Sequence, residues 1–332
     1  MRYRGPVLLA VVLLLFVTPV LAHVPVFATD NATPETAYPI SDPTKSWSVY
    51  DRLDDRAVAY YELDLEAGDR LRVRVFTPVR GEFTPSLVLA SPSMQSSGSL
   101  PDRVRLPDGY GHELVTGTRP AAADYEPFAP SSFYETVQLD REVDDGGRYL
   151  LAVYAAEGAG PVGLAVGREE RFTPTEYARV PLDLVRVHLW AGQQPIVVFG
   201  PLVAVLGAGL AVGRRRIPDS GPTSVAAALG VAGLLYVGTA AGTAVQTAIA
   251  LSRSGPTAAA LVTAVFVVVP LVLGGWLLRR AATDPFVVSP RTRLALVAVG
   301  VAGFATWAGL LVGPTLALTA AVTPKTGFGL SR

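Results

Sequence analysis

Cysteine is absent from all 332 residues, so no disulfide staples this chain and no thiolate is present as nucleophile or metal ligand. Histidine is nearly absent as well, at His23, His112 and His188 only. The signatures GxSxG and HExxH do not occur, and three histidines leave few places for a general base. These absences favour a protein without enzymatic activity. Lysine stands only at Lys45 and Lys325, so arginine carries nearly all the positive charge. The long apolar runs after Gln194 contain no ionisable residue in their interiors. Ion pathways and proton relays are built from such residues, which disfavours a pump or an ion channel.

Half of the residues are apolar, and they concentrate after Gln194. The formal charge is zero, yet residues 23–193 hold 16 Lys and Arg against 26 Asp and Glu. Phosphate recognition needs a basic face, so this balance argues against an exported nucleic-acid binder. The first 22 residues carry the three parts of a secretory signal: Arg2 and Arg4, an apolar run Val7 to Val17, and the small residue ending Val20-Leu21-Ala22. Cleavage after Ala22 is expected. It makes His23 the first residue of the mature chain and places the domain beginning there outside the cytoplasm.

Four apolar stretches, about 195–213, 223–251, 257–278 and 294–322, each reach the roughly 20 residues a helix needs to cross a bilayer. Arginine clusters at Arg214 to Arg216 and at Arg279, Arg280, Arg291 and Arg293 mark the cytoplasmic loops. The expected layout is therefore a four-helix membrane domain over 194–322, with a short extracytoplasmic tail at 323–332. Gly238 with Gly242, and Gly309 with Gly313, form GxxxG pairs that permit close helix packing.

Upstream, the hydrophobic period changes to two. RLRVRVFT (Arg70 to Thr77) sets Leu71, Val73 and Val75 on one face and three arginines on the other, as in a half-buried strand. Similar runs are 58–65, 86–91, 134–140, 148–155 and 162–166, separated by turn signals at 67–69, 144–147 and 157–160. Short strands at such spacing predict a β-sandwich over 46–170, after an extended segment 23–45 and with an insert at 94–133. Three stretches, YYELDLEAGDRLRVRVF, SLVLASP and DDGGRYLLAVYAAEGAGPVGLAVG, stand here in order. In them the ectodomain resembles the pre-peptidase C-terminal type of domain. That resemblance implies a jelly-roll fold and an accessory binding or stabilising role. Residues 171–193 then read as a helix capped by Thr173 and Glu176. It is expected to lie amphipathically at the membrane surface, with Trp190 in the interfacial belt and a break or bend at Pro181.

Candidate site residues are few. Tyr125, Phe128, Phe133 and Tyr134 gather among prolines in the insert, where aromatic faces suit a glycan or a protein partner; the competing reading is that these rings plug one end of the sandwich. Arg70, Arg72 and Arg74 read as a solvated strand face, with an anionic-ligand site as the alternative. Asp54, Asp55, Asp144 and Asp145 fit turns better than a calcium loop. Asn31-Ala32-Thr33 is a glycosylation sequon. A mature N-terminal His23 offers its amine and ring to copper, with His112 as the candidate second ligand. The leading reading is a membrane-anchored surface protein that binds a glycan, an envelope component or a protein partner. The second is a copper-binding or copper-dependent redox protein. The third is an accessory subunit docked on a larger membrane complex.

Overall fold

The computed structural model describes residues 23–55, 57–216, 223–283 and 289–323. The expected signal peptide and residues 324–332 of the expected tail lie outside the described residues. Two compact units divide the chain, one running to Gly192 and one beginning at Gln193.

The first unit consists of two sheets and one helix. Its strands are β1 (Val24–Phe27), β2 (Tyr38–Pro39), β3 (Trp47–Leu53), β4 (Val58–Leu65), β5 (Arg70–Thr77), β6 (Pro85–Ser91), β7 (Gly111–Val115), β8 (Asp124–Glu126), β9 (Ser131–Glu142), β10 (Gly147–Ala155) and β11 (Gly160–Val166). The first sheet has the order β1-β3-β11-β5-β9-β8 and the second β2-β4-β10-β6-β7. β1 and β2 run parallel to β3 and β4. The antiparallel pairs β3 with β11, β4 with β10, β5 with β9 and β6 with β7 nest one inside the next along the chain.

The alternation read in Arg70 to Thr77 is realised: Leu71, Val73 and Val75 are at most 1% exposed. They join Tyr61, Leu87 and Leu151 of the second sheet in one core. The outward faces are covered too, which explains why β6, β10 and β11 are apolar on both sides. Over the second sheet lie Leu100, Val104, Leu106 and Tyr110, packed on Tyr60, Val88, Leu150 and Tyr154. The segment 94–133, expected as an insert, therefore supplies a cover, then β7 and β8, and it ends in the start of β9.

Over the first sheet lies helix α1 (Pro174–Trp190), started by the expected capping box of Thr173 and Glu176. Glu176 also holds Lys45 at 2.7 Å. The helix continues through Pro181, which is buried, and its inner side sets Val187 and Trp190 against Tyr50 and Phe76. Trp190, expected in the membrane's interfacial belt, is half-buried and packs against the first sheet. Its outer side leaves Leu182 exposed at 67%.

The second unit is helical: α2 (Pro195–Arg216), α3 (Ser224–Ser254), α4 (Ala260–Ala281), α5 (Pro290–Ala305), a 3-10 turn Ala308–Leu311, and α6 (Val312–Val322). Three of these helices are long and apolar enough to cross a membrane, or four spans if the bent pair α5 and α6 counts as one. This is the make-up of a multi-pass membrane protein. The expected span 294–322 is thus two helices, bent by 119°.

Tyr236 of α3 is the centre of this unit. It is fully buried and donates a 3.0 Å hydrogen bond to the Val299 carbonyl of α5. A Cβ on Gly303 would come within 1.8 Å of its hydroxyl, and one on Gly313 within 2.6 Å of its ring. The Gly309 and Gly313 pair therefore receives an aromatic ring. In the other GxxxG pair, Gly238 meets Leu202 of α2, while Gly242 has nothing within 4 Å. We expect Gly303→Ala to lower stability by about 1–3 kcal/mol, the usual cost of overpacking, and Gly242→Ala to leave it nearly unchanged. Thermal unfolding of the two variants in detergent measures the difference.

Candidate functional site

The cover that α1 makes over the first sheet is incomplete. Between them lies a cavity of about 60 Å³, room for a few waters at roughly 10–15 Å³ each. Its floor is Ser48 and Tyr50 of β3, Arg74 and Phe76 of β5, and Ala165 of β11. Phe133 and Glu135 of β9, Glu126 of β8, Val187 and Trp190 of α1, and His23 just before β1 form its walls. Local backbone chemistry places these groups. β9 bulges at Thr136, the extra residue between Val137, opposite Val75, and Glu135, opposite Phe76. Such bulges re-aim side chains, and here Val137 faces the core while Glu135 and Phe133 face the cavity. The Phe76 ring lies over Gly163 of β11, where any Cβ would come within 2.2 Å of it.

The aromatic wall is one connected cluster. Tyr50 and Trp190 meet edge-on at 4.8 Å, Tyr50 stacks on Phe27 at 5.3 Å, and Phe76 meets Phe133 at 5.0 Å. Trp190 is fixed by its indole nitrogen, which donates to the Asp51 carbonyl at 2.6 Å. The polar groups sit opposite. Arg74 lies 3.5 Å from the Glu135 carboxylate and 3.2 Å from Nε2 of His23. Glu126 accepts from the Phe128 amide at 3.0 Å, and burial pushes its carboxyl up to about 7. Burial raises Glu135 as well, against the pull of Arg74.

Of the four aromatics singled out in the sequence, Phe133 lines the cavity and Tyr134 lies under the Arg119 guanidinium at 3.9 Å. Tyr125 and Phe128 are half-buried in β8 and the turn after it. Neither the site reading nor the plug reading describes all four. The arginine row is paired along β9: Arg70 and Arg72 with Asp140, Arg74 with Glu135.

His23 and His112 do not share a site. His23 lies on the first sheet beside a guanidinium, which repels a metal cation. His112, the candidate second ligand, is 8% exposed on β7, the edge strand of the second sheet, opposite Ala90. His188 is buried in α1, and burial lowers it to about 4, which keeps its ring neutral. Among the described residues no three His, Cys, Asp or Glu side chains gather to hold a metal.

No family model matches the chain, and no curated protein does.

Asn31, the sequon asparagine, is 5% exposed. Its Nδ2 donates to Asp51 at 2.9 Å and to the Tyr60 carbonyl at 3.2 Å. The nitrogen that would carry a glycan is therefore committed to the fold. Sequence reasoning missed Glu126, Glu135, Tyr50 and the role of Trp190. A signal for Glu126 was present, since it stands between Tyr125 and Pro127 inside the aromatic stretch.

Two outcomes are expected. The folded chain retains the Glu126 proton up to about pH 7, whereas an unfolded carboxyl releases it near 4.5. Stability that this group contributes is thus full below pH 4.5 and is lost as pH rises through 7. Glu126→Gln, which keeps the neutral shape, should match the parent at pH 4.5 and exceed it by about 1–3 kcal/mol at pH 8, measured by denaturant unfolding at both values. Asn31→Ala should cost about 1–3 kcal/mol through the orphaned Asp51 and Tyr60 partners, and intact mass should show no glycan at Asn31.

Proposed function

We propose that this chain is a membrane-anchored surface protein whose β-rich unit is a jelly-roll sandwich and binds a hydroxyl- or amine-bearing end group of an envelope glycan, without catalysis. The nested antiparallel pairs support the jelly roll: they are the pairs made when one long hairpin is rolled into two facing sheets. The signal-like N-terminus and the arginine clusters support an extracytoplasmic position for this unit, with the arginine-bearing loops in the cytoplasm. The exposed Leu182 of α1 suits contact with the membrane surface.

The observation that carries the binding role is the cavity under α1. Ring faces of Phe133 and Trp190 suit the C–H faces of a sugar, while Glu126, Glu135, Arg74 and Ser48 offer acceptors and donors at short range. Its volume admits one end group and leaves the rest of a polymer outside. Tight binding concentrates on buried aromatic anchors. In detergent, the full-length protein should retain glycan fragments from its own cell envelope, and Phe133→Ala should weaken that retention at least tenfold with thermal unfolding little changed. Equal retention by parent, Phe133→Ala and Glu126→Gln rules the cavity out as the binding site.

A further inference from the structure

We infer that α5 and α6 form a re-entrant hairpin that enters and leaves the membrane on one face, so that Thr323 lies on the same side as the segment joining α4 to α5. The 119° bend alone is compatible with either a broken span or a re-entrant loop. Arg293 separates the two. Near the start of α5, its guanidinium donates to the Ala321 carbonyl at 2.8 Å and to the Thr323 carbonyl at 2.6 Å, at the end of α6. In a single broken span these residues would stand on opposite faces, about 30 Å of hydrocarbon apart.

Length and packing agree. α5 has 16 residues and α6 has 11, about 24 Å and 16 Å of helix, each short of the roughly 30 Å core. The two lie side by side, for a Cβ on Gly300 of α5 would meet Leu318 of α6 at 2.6 Å. The turn between them also stops part-way along its neighbours. The Gly309 amide donates to Oγ1 of Thr239 at 2.9 Å, and Trp307 stacks on Phe266 at 6.1 Å. From Thr239, α3 continues to Ser254, which is about 22 Å of further helix.

Non-helical backbone at membrane depth persists only where protein encloses it. Here Tyr236 and Thr239 do so: the turn backbone is left-handed at Trp307, Gly309, Leu310 and Leu311, and Ala308 and Gly309 are buried. Thr323, where the expected extracytoplasmic tail begins, is thereby moved to the arginine-rich side. The membrane unit then makes three crossings and one re-entrant excursion.

The absence of native cysteine makes the test direct. Single cysteines replace Thr283, Thr257 or Thr323 in the full chain, and a fourth variant carries one added after Arg332. Each is labelled with an impermeant maleimide in sealed right-side-out and inverted vesicles. The hairpin predicts that position 323 follows position 283, with at least tenfold more labelling in the same vesicle type, and that position 257 shows the reverse. If position 323 is shielded in both, the added C-terminal cysteine decides by the same comparison. Labelling of the C-terminal positions together with 257 overturns the inference.

Discussion

Asp51 ties the β-rich unit together. Its carboxylate accepts from the Asn31 amide of the N-terminal segment and, at 2.7 Å, from the Tyr61 hydroxyl of the second sheet. Its own carbonyl accepts from Trp190 of α1. Asp51 itself stands on β3 of the first sheet. One residue thus joins four parts of the unit. Loss of its carboxylate would strip the Tyr61 hydroxyl of this acceptor and leave the Asn31 amide only the Tyr60 carbonyl, at a cost of about 1–3 kcal/mol for a buried group, while the Trp190 bond, made to the main chain, would stay. In a chain without disulfides, such a junction orients the parts while apolar burial supplies most of the driving force.

The cavity is a by-product of the same arrangement. A two-sheet unit needs only its inner faces buried, but here the outer faces are apolar as well and require covers. The cover over the second sheet is a loop that adapts to the surface beneath it. The cover over the first is a helix, whose regular backbone follows a twisted sheet less closely. The remaining gap falls where the alternation of β5 sets Arg74 outward and the bulge of β9 at Thr136 turns Glu135 to the same side. Aromatic and ionisable groups are therefore brought together by the geometry of covering.

Legibility in the sequence followed periodicity. β4 and β5 were readable to the residue, and β6, β10 and β11 to within one or two, because turns bound their apolar runs. β7 and β8 were hidden among Pro, Ser and Gly: β7 pairs with β6 across the long irregular stretch between Ser91 and Gly111, and β8 is only three residues long and carries no alternation of its own. The burial of Asn31 was unreadable for a similar reason, since Asp51 and Tyr60 become its partners only when β3 and β4 are formed. The bend between α5 and α6 leaves no trace in hydropathy. The apolar run continues unbroken through Trp307 to Val312, and the features that specify the turn are the glycines that admit Tyr236.

The parallel pairing of β1 and β2 leaves each of them at the outer edge of its sheet. Open edges invite strands from other molecules, and growth by such addition leads to aggregates. β1 contains Pro25 and β2 ends in Pro39. The amides of Val24 and Ala28 point inward to the Ser46 and Tyr50 carbonyls; by alternation, position 25 faces the open side. There the proline ring replaces the N–H that an incoming strand would need. At the β1 edge, this one imino acid thus guards the first sheet against lengthening into a neighbouring molecule.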